Sequence, residues 1–249
     1  MIFTLETALL EAGLDRRDLH APDGFLTFPV AGVMWLFTIV CLSIALRRMN
    51  RTFDERSIPL MGVLAAFIFA AQMFNFQVVG GTSGHLLGGV LAAVLIGPWA
   101  GTVVMACVIA VQSLLFQDGG LIVMGANIFN MGIVGTFGGF AVYITLARLF
   151  GGEQRGRLPA AAIAAWVSVV AGALAMTVEL AVSGTTPLAI ALPAMLGTHV
   201  LIGIGEALIT VAALAFIAAT RPDLLRLRDA GAVGNGVGSS AREGGIAGA

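Results

Sequence analysis

Seven apolar runs, at about 28–46, 58–79, 85–96, 99–116, 121–149, 158–182 and 187–220, dominate the 249-residue chain. Most approach the roughly 20 residues a helix needs to cross a bilayer. Hydrocarbon offers no partner to a backbone N–H or C=O, so such runs must bond internally, and the expected fold is an all-α bundle. The third run is short for a full crossing. Gly97 and Pro98 part it from the fourth, so these two read as separate segments or as one broken, tilted pair. Pro193 marks a kink in the last run or the end of a short entry helix ahead of it.

Composition agrees and excludes a water-soluble domain. Hydrophobic residues make up 58% of the chain and charged residues 11%, against about 25% charged in an ordinary soluble domain. The mean hydropathy is +0.97. The formal net charge of −1 resides in loops and tail, which gives no basis for a nucleic-acid partner. Cys41 and Cys107 both fall inside apolar runs and read as small core or lipid-facing residues, not as a disulfide or thiolate site.

All 13 basic residues are arginine. Arg47, Arg48, Arg51 and Arg56 follow the first run, Arg148, Arg155 and Arg157 the fifth, and Arg221, Arg226 and Arg228 the seventh. The linkers "GGTSG", "QDGG" and "SGTT" hold none. Because cytoplasmic loops collect arginine, this pattern predicts seven crossings with the N-terminus outside and the C-terminus in the cytoplasm. Arg16 and Arg17 are the exception. The chain divides into an extension at 1–18, a membrane domain at 19–220 and a glycine-rich, flexible cytoplasmic tail at 221–249. The first twenty residues lack the basic start and sustained apolar core of a cleavable signal peptide.

That topology puts two distant histidines on one face: His20, just before the first run, and His85, at the outer start of the third. Two converging imidazoles are a common ligand set for cobalt, nickel, copper or zinc. The bland alternative is that each sits at a wet helix end, bonded to backbone or water. The "APDGF" turn after His20 lets the backbone double back, and "GGTSGH" brings glycines for close approach, with Thr82 and Ser83 available to orient an imidazole. Gly88, Gly97 and Gly101 read as packing glycines. Asn127 and Asn130, three apart, read as support for a site or as interhelical glue. Gln72, Asn75 and Gln77 read as pocket lining. Glu179, His199 and Glu206 should face the bundle interior and find partners there.

The stretches "LHAPDGFL", "GGTSGHLLGG", "LLFQDGGLIVMGANIFNMG" and "IGIGEALIT", in this order, resemble the substrate-binding membrane component of energy-coupling-factor transporters for cobalt or nickel, the CbiM/NikM family. The likeness runs over about 19–219. It implies a six-helix plan with an added N-terminal helix and an outward-opening site for a divalent ion. It also implies partners: a transmembrane coupling protein, two cytoplasmic ATPase subunits and a small accessory membrane protein, all in the bacterial inner membrane. The chain would then be no enzyme and need no cofactor, its ligand being transported Co2+ or Ni2+ for cobalamin biosynthesis. Motif spelling leans towards cobalt.

By the same resemblance, the metal is held by a terminal amine, the next amide nitrogen, the imidazole matched by His20, and a later imidazole matched by His85. Leu19 stands where the family has its initiating methionine. The amine is therefore available only if the mature chain starts at position 19, with Asp18 or Asp23 as substitutes otherwise. Gly132, Gly135 and Ala141 are candidates for admitting the coupling protein. Two other classes compete: a self-sufficient secondary transporter or channel, and an intramembrane enzyme. No inverted repeat supports the first, and no H-E-x-x-H or acid–base pair supports the second.

Overall fold

The computed structural model describes residues 20–52, 58–73, 75–78 and 82–225. Helices form where the sequence is rich in Leu, Ala, Val, Ile and Met. They are α1 (Phe28–Thr52), α2 (Ile58–Gln72), α3 (Gly89–Ile96), α4 (Pro98–Leu115), α5 (124–149), α6 (Glu153–Ser183) and α7 (Leu188–Thr220). Five of them, α1, α4, α5, α6 and α7, are long and apolar enough to cross a membrane, whereas α2 has 15 residues.

The eight-residue α3 is too short to cross, yet its residues from Gly89 to Leu95 are all buried, which makes it an internal strut of the bundle. Gly97, at φ +84°, turns the chain between α3 and α4, and Pro98 opens α4 at the position where a missing N–H costs nothing. Gly101 packs α4 directly on α3: a Cβ there would stand 3.1 Å from the Ala93 nitrogen.

Two features depart from the sequence reading. The second run was expected to stay helical to about position 79, in an all-α fold. Instead α2 ends at Gln72, and β1 (Asn75–Val78) pairs antiparallel with β2 (Thr82–His85). The polar–apolar alternation of "NFQV" suits a strand better than a helix. Pro193 neither splits nor shortens α7, which runs unbroken through it.

The core is layered along the bundle. Leu91, Leu95, Tyr143, Ala161 and Leu214 join α3, α5, α6 and α7 in one layer. Met105, Ile109, Met131 and Ile202 form the next. Leu26, Met34, Val123, Ala126 and Leu180 seal the end nearest residue 20. Along α1, Val33, Leu36, Phe37, Val40 and Ile44 are exposed, as an outer helix of a membrane bundle requires. Cys41 and Cys107 are both free.

Candidate metal centre

Two loops pack together to bury His20. The Asp23 carboxylate accepts hydrogen bonds from the Ile122 and Val123 N–H groups at 2.8 and 3.2 Å through Oδ1, and from the Leu121 N–H at 3.2 Å through Oδ2. These amides lie at the N-terminal approach to α5, where free donors and the helix dipole favour a carboxylate. The Gly120 N–H and Asn127 Nδ2 both donate to the Ala21 carbonyl, at 3.0 and 3.1 Å. Thr185 Oγ1 donates to the Phe25 carbonyl at 2.7 Å and ties the same segment to the α6–α7 turn.

Glycine is required at the centre of this contact. A Cβ on Gly120 would stand 2.0 Å from Asp23 Oδ1, and one on Gly119, at φ +89°, would stand 2.6 Å from His20 Cβ. The "APDGF" segment therefore seats on "QDGG" through backbone that no larger residue could supply. Asp23 is spent on this contact and is no substitute ligand.

His85 ends β2, in register with Asn75. Its Nδ1 lies 2.7 Å from the Leu86 carbonyl, so Nδ1 carries the proton and Nε2 keeps its lone pair. His85 is buried, and Nε2 is the atom it can offer to a metal.

The two rings meet. Their centroids are 4.6 Å apart and their planes 34° from parallel. With a metal–nitrogen bond of about 2.0–2.1 Å, each centroid stands about 3.2 Å from an ion, so rings up to about 6.4 Å apart can reach one ion together. The observed separation is within that reach.

Asp118 lies behind His20. Its Oδ1 accepts from the His20 N–H at 3.3 Å and stands 3.3 Å from His20 Nδ1, close enough for attraction but not aligned as a hydrogen bond. Both buried ring nitrogens of His20 thus lack a hydrogen-bond partner, a costly arrangement for an imidazole 4% exposed. A metal ion would relieve it. Among the described residues no third His, Cys, Asp or Glu joins the pair to make a complete metal site.

The remaining candidates separate. Leu19 lies outside the described residues. Thr82 and Ser83 pair with Val78 and Gln77 through the strand backbone, and their side chains lie outside the described residues. Asn127 holds the His20 segment, but Asn130 turns away: its Nδ2 donates to Glu179 Oε2 at 3.0 Å, which makes it a link between α5 and α6 and not a support of the site. For Asn130 this is the interhelical link that the sequence reading offered as one of its two alternatives. His199 Nδ1 bonds the Met195 carbonyl of its own helix at 2.7 Å. Gln72 and Glu206 hold the backbone just after His85. Asp118 was not singled out in the sequence; its one signal is its place in "QDGG", a loop that otherwise reads only as a turn.

A multi-pass helical membrane protein with a buried, ligand-poor imidazole pair at one end of its bundle belongs to the class of membrane proteins that handle transition-metal ions. Residues 20–224 match the CbiM family, the cobalt uptake substrate-specific transmembrane region, and the chain belongs to that family. A relative in Archaeoglobus fulgidus is 38% identical over 214 residues, covering 85% of this chain and 70% of its own. A fused nickel transport protein of Rhodobacter capsulatus is 33% identical over 226 residues, covering 85% of this chain and 65% of its own. The crystal structure of a truncated transition metal transporter superposes with a TM-score of 0.75 at 32% identity, over 80% of this chain and 98% of that one.

Proposed function

We propose that the protein captures a divalent transition-metal ion, Co2+ before Ni2+, as the substrate-specific component of an ATP-driven importer of the energy-coupling-factor type. The reading is carried by the His20–His85 pair, 4.6 Å apart with no hydrogen bond to either His20 ring nitrogen. His20 and His85 take adjacent corners of a planar site, which favours cobalt, nickel or copper over the tetrahedral preference of zinc. The two other corners come from a terminal amine and the His20 amide nitrogen in a mature chain that starts at position 19. Ligation by the amide nitrogen requires loss of its proton, which is released to solvent as the metal binds, so the His20 N–H bond to Asp118 is given up; Asp118 remains beside the site to orient the imidazole.

In this reading the chain crosses the bacterial inner membrane seven times, N-terminus outside, with α3 and its hairpin completing the third passage and 221–249 in the cytoplasm. It hydrolyses nothing. Two ATPase subunits and a transmembrane coupling protein drive transport, a small accessory membrane protein assists, and the metal supplies cobalamin synthesis. The arginine distribution supports the orientation.

Metal titration of the purified full chain tests the proposal, with wild type compared against His20→Ala and His85→Ala for Co2+, Ni2+ and Zn2+. Each substitution should weaken Co2+ and Ni2+ binding by at least a hundredfold. Wild-type affinity in either variant would overturn it.

A further inference from the structure

Glu206 sits in the middle of α7, 2% exposed, 121 residues after His85 in the chain. Its Oε2 accepts from the Leu87 N–H at 2.8 Å and its Oε1 from the Gly88 N–H at 2.7 Å. These amides lie just ahead of α3; where a helix satisfies its N-cap amide locally, it does so with a Glu or Gln three residues on. Here that residue is Leu91, and the acceptor is brought across the bundle from another helix. From the opposite side, Gln72 Nε2 of α2 donates to the Leu87 carbonyl at 2.7 Å.

The peptide at 86–88 is therefore held between α2 and α7, and the ring of His85 is pinned to it through the Leu86 carbonyl. A cavity of about 10 Å³, lined by Gln72, Leu86, Leu87, Gly88, Glu206 and Thr210 among others, adjoins this grip. Metal sites tolerate about 0.2 Å of error in a ligand distance.

We propose that Glu206 is a positioning residue for the metal site, fixing the reach of His85 towards His20 and with it the preference for a planar divalent ion. This rests on the capture reading above.

The test uses the full chain in detergent, titrated with Ni2+, Co2+ and Zn2+, with the visible spectrum of the Ni2+ form recorded. Glu206→Gln keeps the shape but turns an NH2 group towards a backbone N–H. It should weaken Ni2+ and Co2+ at least tenfold, shift the Ni2+ spectrum away from that of a planar site, and change Zn2+ binding less than threefold. Gln72→Leu removes the second grip without leaving a buried charge and should act in the same direction, which keeps the proposal testable if Glu206→Gln does not fold. His85→Ala separates the two readings. If that variant binds like wild type, the capture site itself is wrong. If it fails to bind while Glu206→Gln, or Gln72→Leu in its place, keeps wild-type affinity and spectrum, the positioning role is overturned.

Discussion

Replacing Gly119 by alanine is the most direct probe of how the two loops make the site. The new Cβ would stand 2.6 Å from His20 Cβ, while ordinary contact begins at 3.4 Å, so one of the two must yield by about 0.8 Å. That is about four times the 0.2 Å that a metal–ligand distance tolerates. An L-residue at positive φ adds about 1–2 kcal/mol, and overpacking a filled site about 1–3 kcal/mol. If releasing His20 from the ion relieves most of this, metal binding loses about 2–4 kcal/mol, between about thirtyfold and several hundredfold in Kd. Calorimetric titration with Co2+ and Ni2+ measures it, with Gly138→Ala as the control because a Cβ there meets nothing within 4 Å. Binding by Gly119→Ala within threefold of wild type would refute the argument that loop contact sets the position of His20.

Asn130→Leu should lower stability by about 1–3 kcal/mol, because it strips the buried Glu179 carboxylate of its donor. The same variant should bind Co2+ within threefold of wild type, and a larger loss would place Asn130 at the metal site after all.

The long apolar helices were legible because bilayer length sets how long an apolar run must be. The closeness of His20 and His85, expected from the run pattern, is seen in their rings. Asp118 was not legible, since its importance lies in a contact 98 residues away in sequence. The hairpin was obscured because "NFQV" continues an apolar run, and its alternation covers only four residues. Spacing could not say which of the two readings each asparagine would take: Asn127 holds the His20 segment and Asn130 links helices. Nothing local in "IFNMGIVGTFG" announces the wider π turns it forms. Glu206 was rightly expected to have a buried partner, but pattern alone could not say that the partner was a pair of backbone amides 118 and 119 residues away.

The antiparallel ladder of β1 and β2 places one ligand by counting. His85 stands opposite Asn75, with Gly84 facing Phe76 and Ser83 facing Gln77. Successive residues of a strand present opposite faces, so a shift of one position along the ladder would turn the imidazole out of the protein instead of merely moving it. The three residues between that ladder and α3 should therefore tolerate no change in number.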